Sequence, residues 1–157
     1  MNKALILSFA ASLLILSGCV APPQVQKSSL ELQAIQVKEF ETNSRMAFAS
    51  VMSVFQDLGY TINSASLETG LITAKSPTKQ EMIPFVGQKM SDEKATAFVE
   101  QISVNRTKVR LSFVQSSQTS SGYGMRGERE TPVQEPEPYQ NAFSKIQQSI
   151  FLKTNTN

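Results

Sequence analysis

Glu81, Asp92, Glu93 and Glu100 are the side chains that could supply a general acid and a general base, as a peptidoglycan-active glycosidase would need. Nothing in their spacing selects two of them, and a chain with 13 acidic residues always offers such candidates. Serine is plentiful, but the chain has no histidine, so only a Ser–Lys arrangement could activate it. No Ser-x-x-Lys stands in a supporting context. The missing histidine also removes the commonest general base and the commonest transition-metal ligand together. A single cysteine, Cys19, adds almost nothing through which zinc, haem or an iron–sulfur cluster could be held. The expectation is a protein without catalysis, metal or cofactor.

Gly122-Tyr123-Gly124-Met125-Arg126-Gly127 formally matches G-x-G-x-x-G. That fingerprint needs a strand before it and a helix opening at its end, so that helix amides meet a pyrophosphate. Thr131-Pro132 and Pro136 follow within a polar stretch. No helix can open where the phosphate would need one, and a loop is the better reading.

Binding chemistry is better represented. Lys108 and Arg110 share one face of an alternating run, with Arg106 and Lys75 as candidate neighbours. They could meet lipid phosphates or the acidic peptide of peptidoglycan through charge-assisted hydrogen bonds. The plainer reading is a solvated sheet face. Met82-Ile83-Pro84-Phe85-Val86 is an apolar island in a polar stretch. Met82, Ile83 and Phe85 could insert against a partner or a lipid surface; the plainer reading folds the island back as a lid on the core.

The elements that must position these residues follow from periodicity. Val109, Leu111 and Phe113 alternate with Lys108, Arg110 and Ser112, which gives a strand with one buried and one wet face. Ala95 to Val104 pairs with it around Asn105-Arg106-Thr107. Phe48, Val51, Met52 and Phe55 recur at i, i+3, i+4 and i+7, so a helix runs from about Ser44 to Leu58, capped by Asn43 and stopped by Gly59. Tyr60 to Ser66 and Leu71 to Lys75 read as a hairpin around Gly70. Tyr139, Phe143, Ile146 and Ile150 mark a final helix from about Pro138 to Leu152. Leu30 to Phe40 reads as a first strand with a bulge or a late start. The expected fold is α+β: a mostly antiparallel sheet of about five strands with two amphipathic helices on one face, in the order βαββββα.

The amino terminus has a different character. Met1, Asn2 and Lys3 give a short positive start, Ala4 to Leu16 is almost unbroken apolar residues, and Leu16-Ser17-Gly18-Cys19 follows. Such an arrangement is a secretory signal, and the run is shorter than the roughly 20 residues a bilayer span requires. The pattern resembles a bacterial lipoprotein signal, whose lipobox Leu-Ser-Gly-Cys it matches residue for residue. The resemblance implies diacylation of the Cys19 sulfur, cleavage after Gly18 and acylation of the new amino terminus. Val20 after the cysteine resembles the outer-membrane class. The expected organisation is a signal peptide over 1–18, a lipidated tether over 19–29 containing Pro22-Pro23, and one domain over 30–154 with loops at 76–94 and 118–137.

Phe40-Glu41-Thr42, Val54 to Ile62 and Gly70 to Lys75, with Pro138-Tyr139-Gln140, Phe143 and Ile150-Phe151-Leu152, also resemble a pattern in small proteobacterial lipoproteins of unassigned function. These are fold determinants, and no catalytic residue carries over. The formal net charge is +2, and removal of Lys3 with the signal brings the chain closer to neutral. That argues against an electrostatic nucleic-acid binder, which would need a basic face. The leading expectation is a non-enzymatic accessory of the cell envelope, anchored to the outer membrane through Cys19, facing the periplasm and binding an envelope protein. A carrier or sensor of an apolar small molecule or lipid is the alternative, with Phe48, Met52, Phe55, Phe143 and Ile146 lining its pocket.

Overall fold

Asn43 sets the start of the best-defined helix: its side-chain oxygen accepts from the Met46 amide at 2.9 Å, satisfying a free donor of the first turn. Gly59, at φ +87°, turns the chain after it. The computed structural model describes residues 27–84, 87–120 and 126–155; Cys19 and Phe85 lie outside them. In chain order the elements are α1 (Ser29–Gln36), β1 (Val37–Phe40), α2 (Ser44–Asp57), β2 (Thr61–Ser66), β3 (Leu71–Lys75), β4 (Lys79–Ile83), β5 (Gly87–Ser103), β6 (Arg106–Ser120), β7 (Arg126–Pro132) and α3 (Pro136–Asn155). The fold is α+β, with an antiparallel sheet of seven strands and three helices among the described residues.

Several expectations are corrected. Ser29–Gln36 is helical where a strand with a bulge or a late start was expected; of the two, the late start holds, since only Val37–Phe40 is extended. The cause is local: Ser28 and Glu31 form a reciprocal capping box. Hydrogen bonds from Ser28 also hold the Glu31 carboxyl below its ordinary pKa. The end of the expected tether is docked, since the Lys27 ammonium donates to the Gln134 carbonyl at 2.8 Å. The expected loop at 76–94 contains β4 and the start of β5, and the loop at 118–137 contains the end of β6 and all of β7. The final helix is also longer at both ends than its apolar stripe implies.

The sheet has two zones that share β5 and β6. In the first, the order is β1-β6-β5-β3-β2; in the second, β4 continues along β5 beyond β3, and β7 continues along β6 beyond β1. β5 has 17 residues and α2 has 14, which correspond to about 56 Å of strand against about 21 Å of helix. The strands therefore run past the helices. The uncovered zone of β4, β7 and the adjoining halves of β5 and β6 forms a polar wing.

Under the helices the core is continuous. Ile72, Ala74, Ala95, Ala97, Val99, Val109, Leu111 and Phe113 point inward from the sheet and meet Phe48, Val51, Val54, Phe55, Phe143, Ile146 and Ile150 of α2 and α3. Tyr139 is fully buried with its ring centroid 5.0 Å from that of Phe113, and its hydroxyl donates to the Val133 carbonyl at 2.9 Å. That bond satisfies the polar end of an otherwise apolar side chain. Lys153 ties α3 to α2 through the Ala49 carbonyl and the Ser53 hydroxyl, both at 3.0 Å. Among the described residues no helix is long and apolar enough to cross a membrane.

Candidate functional site

Both long helices lie on one side, and among the described residues the other side of the first zone is open. Strand alternation decides which side chains stand there. On β6, Thr107, Val109, Leu111 and Phe113 are buried, so Lys108, Arg110, Ser112 and Val114 leave the sheet in the opposite direction. Pairing then extends each into a row, because directly opposed residues share a face. One row is Glu39–Lys108–Glu100; the next is Val37–Arg110–Phe98–Leu71–Ser66. A third holds Ser112, Thr96, Thr73 and Ser64, and a fourth holds Val114, Lys94 and Lys75.

Charge on this face is almost fully paired. Lys108 meets Glu100 at 2.5 Å, Arg106 meets Glu39 at 3.7 Å, Lys75 meets Asp92 at 3.4 Å, and Lys94 meets Glu130. The Glu130 carboxylate holds the Lys94 pKa above its ordinary value. Exposed pairs of this kind contribute about 0–1 kcal/mol each; their main effect here is to neutralise the face. Arg110 has no ion pair or hydrogen bond among the described residues. Phe98 beside it is 43% exposed and Leu71 is 40% exposed. The face thus carries one unmatched cation next to two half-exposed apolar side chains.

Phe98 and Leu71 were not among the expected contact residues. A signal was present: Ala95, Ala97 and Val99 form the inward phase of β5, so the largest side chain of that stretch stands on the outward phase. Small inward residues let α2 pack close to β5, and the bulk goes outside.

The apolar island divides. Met82 lies on β4, paired with Gln88, and is 77% exposed, while Ile83 is half-buried opposite Gly87. An exposure of 77% is incompatible with Met82 covering the core, so the lid expectation is corrected for that residue. Phe85 and Cys19 lie outside the described residues. Lys108 and Arg110 share a face as expected, with Arg106 on the same side and Lys75 two strands away.

The four carboxylates are not brought together. Asp92 and Glu93 are consecutive on β5, so their side chains leave opposite faces of the strand, although both residues border one crevice. Asp92 and Glu100 share a face eight residues apart on that strand, or about 26 Å, far beyond the roughly 5–9.5 Å of a glycosidase pair. Glu93 instead accepts from the Tyr60 hydroxyl, and its backbone exchanges bonds with Ser76, each 2.8 Å long. Burial, then Glu93, pushes the Tyr60 pKa well above its ordinary value. Tyr60 and Glu93 border a crevice of about 300 Å³ with Lys79, Ser91 and Gln115. A second cleft, of about 580 Å³, lies on the wing among Gln88, Met90, Gln118 and Glu128. The G-x-G-x-x-G match ends in β7, a strand where a dinucleotide fingerprint requires a helix. Among the described residues no group of three or more acidic or thiol side chains is arranged to hold a metal ion.

Of the expected pocket-lining residues, Phe48, Phe55, Phe143 and Ile146 are core residues and Met52 packs against them. No protein-family model matches this chain, and no curated protein matches it significantly.

Proposed function

We propose that this protein is a lipoprotein of the outer membrane, facing the periplasm, that acts without catalysis as a binding or assembly accessory of the cell envelope. The observation that carries the reading is Leu16-Ser17-Gly18-Cys19 behind a charged start and a short apolar run. Acyl chains on Cys19 would hold the protein effectively permanently, because two or more chains bind where one binds only reversibly. Val20 supports outer-membrane sorting, and Pro22-Pro23 suits a spacer.

The binding role is supported by a sheet covered on one side only, with Arg110, Phe98 and Leu71 on the other. Met82 on β4 offers a second exposed apolar contact.

The test is in-cell crosslinking of the full-length protein carrying a carboxyl-terminal tag, followed by capture in detergent. The wild type should bring down an envelope protein in stoichiometric amount, and Cys19→Ser should lose both the outer-membrane fractionation and the captured partner. If fractionation and capture are both unchanged in Cys19→Ser, the reading fails.

A further inference from the structure

We propose that the open sheet face at Arg110 docks a segment of a partner protein in which an acidic side chain stands beside an apolar one. The carboxylate would pair with the Arg110 guanidinium, and the apolar side chain would cover Phe98 and Leu71. This deepens the binding role proposed above and rests on it.

On this face Lys75, Lys94, Arg106 and Lys108 each have a carboxylate, and Arg110 has none among the described residues. Arg110 stands directly between Phe98 on β5 and Val37 on β1, and Leu71 on β3 continues the row. A guanidinium presents a rigid fork of donors that fits a carboxylate, and it is less strongly hydrated than an ammonium. Placed between apolar side chains, it makes the centre of a protein contact: an arginine with an aromatic, surrounded by polar groups. The paired charges on either side supply that polar surround and repel partners whose charges fall in the wrong register.

The same observations set aside other occupants. An anionic membrane surface is held by a cluster of unpaired cations, and this face offers one. A second copy is a poor fit because a two-fold contact must be self-complementary; the two carboxylates in these rows, Glu39 and Glu100, already hold cations, so a two-fold contact centred on Arg110 brings it no unpaired anion from its own rows. A partner segment with its own carboxylate remains.

The experiment places a photoreactive benzoylphenylalanine at Ser66, which is exposed in the same row as Leu71, Phe98 and Arg110. A control carries it at Lys145, which is exposed on α3. The full-length protein, with Cys19 intact, is irradiated in its own cells. The expected result is a discrete protein adduct from Ser66 and not from Lys145, with the crosslinked peptide containing an Asp or Glu beside an apolar residue. Arg110→Glu should lower its yield about tenfold or more, Phe98→Ser should lower it independently, and changing the partner's mapped acid to Arg should restore it in Arg110→Glu. Unchanged melting of both variants guards against loss of fold.

Adducts to lipid, to peptidoglycan or to a second copy overturn the proposal. So does a protein adduct that persists in Arg110→Glu, or a Ser66 yield no higher than the Lys145 control. Failure of the anchored-accessory reading shows elsewhere, in unchanged fractionation and capture of Cys19→Ser.

Discussion

Gly70 and Val99 meet where β3 joins β5. The Val99 amide donates to the Gly70 carbonyl at 2.8 Å, and a Cβ on Gly70 would stand 2.1 Å from the Val99 carbonyl oxygen. Gly70 also has φ +71°, in the left-handed region. This contact fixes the turn that brings Leu71 opposite Phe98.

Gly70→Ala should therefore destabilise the protein by about 3 kcal/mol or more, combining backbone displacement with left-handed strain. Gly59→Ala is the comparison: it shares the positive φ but meets nothing within 4 Å, so its loss should stay near 1–2 kcal/mol. Urea titration of both variants in mild detergent measures the difference. Equal losses would mean that the approach to Val99 relaxes freely.

Tyr60 predicts a pH dependence. Burial and the hydrogen bond to Glu93 raise its pKa above the ordinary value of 10.0. Above pH 10 the unfolded chain releases this proton while the folded chain keeps it, so stability falls as pH rises. The contribution is fully present below pH 10 and is lost on the alkaline side. Wild type should exceed Tyr60→Phe in unfolding free energy at pH 8, and the gap should shrink between pH 10 and 11.5. A gap independent of pH would remove Tyr60 as the titrating group.

Ser50 makes a prediction of opposite sign. Its hydroxyl is buried within α2 and has no hydrogen-bond partner among the described residues. Removing an unsatisfied polar group from a core relieves its desolvation penalty. Ser50→Ala should leave stability unchanged or raise it by up to about 1 kcal/mol, read as a higher melting temperature. A loss of more than about 1 kcal/mol would show that the hydroxyl is satisfied.

The parts of the fold legible in the sequence are those in which one face is buried. The α2 stripe, with Asn43 before it and Gly59 after it, and the alternation of Val109, Leu111 and Phe113 both record burial directly. β4 and β7 leave no such record, because neither packs an apolar face on the core and their strands are defined by pairing to β5 and β6. α1 had a readable local signal, Ser28 followed three residues later by Glu31, outweighed by an apparent alternation in Leu30 to Val37. Lys108 and Arg110 were visible as a face. That Glu100 neutralises one, and no carboxylate among the described residues neutralises the other, depends on register between strands, which no single segment displays.

The anchor is the claim on which the rest depends, and intact mass of the protein extracted from cell membranes tests it most directly. The account predicts a chain beginning at Cys19, heavier than its amino-acid sequence by a diacylglyceryl group and an amino-terminal acyl chain. A mass matching the chain with Met1 to Gly18 retained, or with an unmodified Cys19, would contradict it.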